Sequence, residues 1–339
     1  MSIPLGFIAM TETTRFPLML ILSLLLLAFC FALSISIGAA RIPLLEVWSL
    51  TFHPSDEQNS LIVHTIRLPR ALVGMLAGAA LAISGAIMQV VTRNPLASPG
   101  LLGVNAGAAL ALLLLVVFFP TLPGFLYVPA AFVGGVGAAL LVFGMTSSVG
   151  FSPLKLALAG VAASALFSSA ASALKILFEQ RAQGVLFSLA GSVAGRTWDH
   201  FHLLWPWVVA GVILALIYSG RLNLLALGDE LSTSLGIKTR LNQLMLTLLA
   251  VLLAASAVSV VGPVAFVGLM VPHITRKLVG VNHQMVIPIC ALLGASLVTI
   301  ADVAARLIDF PAETPVGILI SAIGAPFFIY LARNVRKMS

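Results

Sequence analysis

Apolar residues run along this chain in long blocks, and the few charges fall at the block ends. Each block is close to the roughly 20 residues that an α-helix needs to cross a bilayer. Residues 16–40 lie between Arg15 and Arg41, and residues 71–92 between Arg70 and Arg93. The uncharged stretch from Asn94 to Leu154 is too long for one span. Pro120, Pro123, Gly124 and Pro129 break it, which predicts spans near 101–119 and 128–145. Residues 156–174 and 203–220 follow. Residues 241–275, broken at Gly262-Pro263, predict a seventh span and a short eighth that borrows length from the stems of Arg276 and Lys277. Residues 284–301 and 314–332 complete ten. The pattern predicts an all-α integral membrane protein with about ten transmembrane helices, forming a single domain over residues 1–339.

Composition agrees. The 339 residues are 60% hydrophobic and 9% charged, and the mean hydropathy is +1.12. A soluble domain carries about 25% charged residues. Soluble enzymes, nucleic-acid binders and disordered scaffolds are excluded. The pI near 10.0 reflects scattered loop cations rather than a nucleic-acid surface. Ten spans place both termini on one side, with 11 Lys+Arg there and 7 on the other out of 18 in all. The richer side is cytoplasmic by the positive-inside rule. Glu12, Asp229 and Glu230 fall inside and the other acids outside. The protein is therefore expected in the cytoplasmic (inner) membrane, with both termini cytoplasmic and lipid around it. The first apolar run is too long for a signal-peptide core, and Phe29 before Cys30 is too bulky for lipoprotein cleavage, so it reads as an uncleaved span. Cys30 and Cys290 read as small core residues.

The chain lacks G-x-x-x-x-G-K-[ST], H-E-x-x-H and G-x-S-x-G, so it has no P-loop and none of the common membrane-hydrolase signatures. Charges deep in the spans, which proton- and ion-coupled carriers keep near the midplane, are almost absent. These features describe a conduit without a motor: no catalytic residues, no metal site, no cofactor, and energy supplied by a partner.

Several segments are more than lipid-facing. Residues 93–103 form a Pro- and Gly-rich turn. In the loop 221–240, Leu224, Leu227, Leu231 and Leu235 recur at helical spacing, with Gly228-Asp229-Glu230 near a helix start and Gly236 at a stop. One or two short amphipathic helices are expected there. Without a basic face for lipid, they suit a protein partner better than a membrane surface. Arg67, Arg70 and Arg306 stand on the outside. They are either helix-end anchors, with Arg306 pairing with Asp302 four residues earlier, or a patch that grips carboxylates of a partner. The spacings Gly74/Gly78, Gly103/Gly107 and Gly191/Gly195 suit close helix packing, and His273 reads as a lone interfacial histidine. Gly85-Ala86 and Gly262-Pro263 open similar runs, so spans two to five and seven to ten read as halves of inverted topology.

Arg67-Leu68-Pro69-Arg70, the runs 78–85 and 94–104, Leu225 to Asp229, the run 262–269, Val271-Pro272-His273, Ala301-Asp302 with Ala305-Arg306, and Glu313 to Gly317 through Gly324-Ala325-Pro326 stand in an order that resembles the FecCD-type permeases. These are the transmembrane subunits of type II ATP-binding-cassette importers for iron–siderophore, haem or cobalamin. The resemblance covers about residues 60–332. It implies a cobalamin-permease-like fold of ten helices and a second permease, identical or paralogous. It also implies two copies of an ABC ATPase that holds ATP-Mg, and a substrate-binding protein. The loop 221–240 then carries the coupling helices, with Leu225, Leu227, Gly228, Asp229, Glu230, Leu231, Leu235 and Gly236 in the ATPase groove. Arg67, Arg70 and Arg306 match arginines that meet glutamates of the binding protein. Asn94 and Leu96 match one part of the cytoplasmic gate, and Pro153 and Leu154 fall near the second. Pro153-Leu154 departs from the small polar residues of the cobalamin member, which favours an iron chelate over cobalamin or haem. A stand-alone secondary transporter is the competing reading.

Overall fold

The computed structural model describes residues 12–38, 40, 42–55, 57–147, 153–234, 238–308 and 312–335. Among these residues the chain is helical almost throughout and has no strand. The principal helices are α1 (Glu12–Ser36), α2 (Leu44–Phe52), α3 (Gln58–Val91), α4 (Val104–Phe118), α5 (Tyr127–Ser147) and α6 (Pro153–Leu177). They continue with α7 (Trp198–Ala226), α8 (Asp229–Ser234), α9 (Thr239–Val261), α10 (Val267–Val279), α11 (His283–Ile308) and α12 (Val316–Val335). Short helical turns over Glu179–Ala182, Gln183–Val185 and Leu186–Leu189 connect α6 to α7.

Helices stand at all ten places marked by the hydropathy. Seven of them are long and apolar enough to cross a membrane. α4 and α12 are shorter apolar helices. α10 has 13 residues, about 20 Å at 1.5 Å per residue, too short to span alone.

The layers follow from which faces are apolar and which are small. In its most apolar window α3 is 83% buried, α9 72% and α11 67%, against 28% for α1 and α5 and 22% for α6 and α7. So α3, α9 and α11 form the centre, and the outer helices turn Leu, Ile and Phe outward, among them Leu22, Leu25 and Phe29 of α1. That is the arrangement lipid favours, because apolar side chains gain nothing by leaving it and helices associate through close packing. A Cβ on Gly85 of α3 would lie 1.8 Å from Gly268 O of α10, and one on Gly78 would lie 2.2 Å from Gly294 O of α11. Gly107 of α4 meets Ala138 and Gly134 of α5 in the same way. Gly74, Gly103 and Gly195, each one member of a spaced pair in the sequence, make no such approach.

Several boundaries differ from the hydropathy reading, among them the end of α11, at Ile308 rather than Ala301. α3 begins at Gln58 rather than near Ala71, and α7 runs from Trp198 to Ala226 rather than over 203–220. Arg67 and Arg70 therefore lie inside a helix and not in a connecting loop. Val63–Arg67 is a π turn just before Pro69. Pro69 has no N–H to donate, and the widened turn absorbs the lost bond. Between α9 and α10 the chain reverses at Gly262, whose φ of +76° and whose 1.9 Å from a would-be Cβ to Ser188 O both demand glycine. Phe266 is also left-handed, at φ +66°. Gly324 of α12 lets its ring pack close, and Phe328 meets it edge-on at 6.4 Å.

Gly85→Ala is expected to destabilise the chain by about 1–3 kcal/mol, the usual range for overpacking. Gly137→Ala, with nothing within 4 Å of its Cβ position, is expected to be neutral or slightly stabilising. Thermal unfolding of the two variants in mild detergent checks the contrast.

Candidate functional site

α1 ends at Ser36, and the last carbonyls of a helix have no partner within it. Two arginines supply partners. Arg67 Nη1 donates to Ile35 O at 2.8 Å and Ser36 O at 2.9 Å, and its Nη2 donates to Ala40 O. Arg306 Nη1 donates to Ser34 O at 3.0 Å and to Ile37 O, and its Nη2 to Ser34 Oγ at 2.9 Å. Both cations also suit the negative end of the α1 dipole. Asp302 lies between Arg306 and Arg70. Arg70 forks onto it from Nε at 3.0 Å and Nη2 at 2.8 Å, and Arg306 Nη2 stands 3.1 Å from Oδ2. The remaining Arg70 donor, Nη1, meets Glu313 Oε1 at 2.7 Å.

The three arginines grouped by the sequence thus meet in space, and Arg306 pairs with Asp302 as its spacing suggested. They are not laid out on the surface, however. Arg67 is 4% exposed, and Arg70 and Arg306 are each 7% exposed. Within this cluster the group that reaches the surface is Glu313, whose side chain is 36% exposed. The sequence reading gave Glu313 no role. No local signal marked it, because its partner Arg70 lies 243 positions away in the chain.

The other end of the bundle carries the remaining candidates. After α3 the chain turns at Arg93, with φ +49°. Asn94 N bonds Gln89 O at 3.1 Å, and Asn94 Oδ1 accepts from Leu96 N at 2.9 Å. Asn94 and Leu154 line one cavity of about 360 Å³, together with Met88, Leu101 and Leu156. Leu96 is not among the lining residues, and Pro153 starts α6.

Of the coupling candidates, Leu225 sits in the last turn of α7, 2% exposed and part of the main core. Its side chain packs inward, because α7 runs on past the expected end. Leu227 and Leu231 are 54% and 57% exposed and stand four residues apart. Gly228, at φ +104°, makes the turn between α7 and α8. Buried Ser232 fixes α8 to the end of α7 by donating from Oγ to Leu224 O and Gly228 O, both at 2.6 Å. Asp229 and Glu230 open α8, and Leu235 and Gly236 lie outside the described residues.

Beside Leu227 opens a larger cavity of about 670 Å³, lined by Gln89, Arg93, Asn223, Arg276 and His283 among others. Arg276 is more than a snorkelling stem: its Nη2 donates to Gln89 Oε1, while Gln89 Nε2 turns to Leu269 O at 3.3 Å. Among the described residues no three His, Cys, Asp or Glu side chains gather as a metal site would require. Cys30 and Cys290 are free and buried.

Comparison with known proteins agrees along nearly the whole length. Residues 25–334 match the FecCD transport family. The chain is 42% identical over 321 residues to the Fe(3+)-citrate import system permease protein YfmD of Bacillus subtilis (strain 168), covering 95% of this chain and 96% of that one. It is 46% identical over 323 residues to the iron(3+)-hydroxamate import system permease protein FhuB of the same organism, covering 94% and 84%. Among solved structures it is similar to an inward-facing conformation of a metal-chelate type ABC transporter, with a TM-score of 0.81 and 31% identity over 94% of this chain and 99% of that one. A multi-pass helical bundle with this family match along its length identifies the protein: it belongs to the FecCD transport family, the membrane permeases of ABC transporters, in which a separate subunit hydrolyses ATP.

Proposed function

We propose that this chain forms the membrane pathway of an ATP-driven importer for an iron chelate of the siderophore or citrate type. The observation that carries this reading is the end-to-end similarity to iron-citrate and iron-hydroxamate permeases, on a fold that resembles a metal-chelate transporter. In this reading ten helices lie in the cytoplasmic membrane, with the Leu227 end and both termini inside and the Arg70 end outside. A second permease, identical or paralogous, covers the weakly buried face of α6, and the cargo passes between the two. The chain holds no cofactor of its own; ATP-Mg belongs to a pair of ATPase subunits.

Leu227 and Leu231 form the apolar contact with the ATPase, since among the described residues they are the coupling-loop leucines that face outward. Ser232 and Gly228 make α8 move with α7, so a push on α8 reaches the spans. Asn94 and Leu154 meet at one cavity at this same end, as a gate built from the start of α6 and the turn after α3 would require. At the outer end a substrate-binding protein docks through carboxylates. Arg67 and Arg306 stay in place as caps of α1. Arg70 Nη1 is the exchangeable donor, because its partner Glu313 is the exposed member of the cluster; a carboxylate of the docking protein replaces Glu313 there.

Leu227→Asp combined with Leu231→Asp is expected to abolish recovery of the ATPase subunit with the purified permease. The thermal midpoint should stay within about 2 °C, because both side chains are exposed. Full recovery of the ATPase would refute the coupling assignment. Glu313→Ala is expected to tighten binding of the cognate substrate-binding protein up to about fivefold, the scale of a partly exposed ion pair. Asp302→Asn, which removes the carboxylate charge shared by two buried guanidiniums, is expected to destabilise the permease by about 3–5 kcal/mol. Binding titrations in nanodiscs and thermal unfolding separate the two carboxylates; equal effects on stability would contradict the division.

A further inference from the structure

The cavity of about 670 Å³ beside Leu227 carries charge of one sign. Arg93 and Arg276 both line it, and no acid is among its lining residues. Arg93 is exposed and Arg276 half-buried. The bond from Arg276 Nη2 to Gln89 Oε1 ties that guanidinium to the end of α3. An amide network sets another part of the wall: Asn223 Oδ1 accepts from His283 N at 2.7 Å, and Asn223 Nδ2 donates to Asn282 Oδ1 at 2.8 Å. This network joins the end of α7 to the start of α11.

Size, lining and place narrow the occupant. A single water needs about 10–15 Å³ measured this way, so the space suits a segment of chain better than one small ion. Val90, Pro95 and Leu227 give it an apolar side as well as a basic one, which an Asp or Glu with its neighbouring residues would match. Leu227 is 54% exposed at its edge, so a subunit seated on Leu227 and Leu231 lies beside the opening. Arg93 also lines the cavity of about 360 Å³ that holds Asn94 and Leu154. The left-handed turn at Arg93 therefore stands between the coupling contact and the gate candidates.

We propose that a segment of the ATPase subunit carrying an Asp or Glu enters this cavity and pairs its carboxylate with Arg93 and Arg276. The proposal rests on the reading that Leu227 and Leu231 face the ATPase. It adds a second grip to that contact. α8 passes a push to α7, while the carboxylate holds the turn after α3, one residue from Asn94. Movement of the ATPase then reaches the gate without passing through α7. A charge-assisted pair of this kind fixes register as well as adding affinity.

The test uses the full-length permease in nanodiscs, titrated with the ATPase subunit that copurifies with it. Arg93→Glu is expected to weaken binding about tenfold and to flatten its dependence on salt, because the charge pairing it removes is screened by ions. Arg93→Lys, treated with a carbodiimide, is expected to yield an amide between position 93 and an Asp or Glu of the ATPase, found by mass spectrometry and absent in Arg93→Gln. All three replacements are unbranched at Cβ, so the turn at φ +49° accommodates each much as it does arginine. Unchanged affinity in Arg93→Glu, or no crosslink from position 93 to the ATPase, overturns the proposal; a phospholipid that copurifies with the wild type and is lost from Arg93→Glu would then name the occupant. Leu227→Asp with Leu231→Asp separates the two readings. If that variant loses the ATPase while Arg93→Glu binds as the wild type does, the carboxylate pairing alone falls. If the double variant still binds fully, the coupling reading falls and takes the pairing with it.

Discussion

Three guanidiniums and two carboxylates meet at one end of the bundle, and the helices around them hold their positions because each charge keeps its partners. Arg67 and Arg306 close the open end of α1, Arg70 and Arg306 share Asp302, and Arg70 reaches across to Glu313 just before α12. The cluster joins α1, α3, α11 and the approach to α12, elements that are far apart in sequence. Three positive against two negative groups leaves one positive charge, and the α1 carbonyls answer it. Removing Asp302, the carboxylate that Arg70 and Arg306 share, leaves buried positive charge under-compensated where little solvent reaches it. That penalty, more than the attraction within each pair, fixes the geometry.

Along the rest of the bundle close packing does most of the work. Lipid is as apolar as leucine, so burying leucine drives nothing; backbones that approach over glycine gain dispersion contacts instead. The contacts of Gly85 with Gly268 and of Gly78 with Gly294 hold α3 to α10 and α11. A helix as short as α10 could not stand in a bilayer alone. It is held by α3 along one side, by the glycine turn at Gly262 before it, and by the seat of Phe266 on Gly324 and Phe328.

Much of this was legible in the residues. Hydropathy and breaker residues located the ten apolar helices, including the short one after Gly262-Pro263, because the length of an apolar run follows bilayer thickness; α2, at Leu44–Phe52, was not foreseen. Helix ends were less legible. Arg67, Arg70 and Leu225 were read as loop residues, since charges and turn signals usually mark span ends; here buried partners let the helix continue through two arginines. The pairing of Arg70 with Glu313 joins residues far apart in the chain, and no local pattern carries it. The near absence of mid-membrane charge, by contrast, was plain at once in the sequence.

The claim that the passage has no motor of its own is tested most directly by flux. Radioactive iron bound to citrate or to a hydroxamate siderophore would be followed into proteoliposomes that hold either this chain alone or its assembly with ATPase and binding protein. Uptake is expected only in the full assembly and only with ATP on the ATPase side. Uptake by the chain alone, driven by a proton or sodium gradient and indifferent to ATP, would contradict the account.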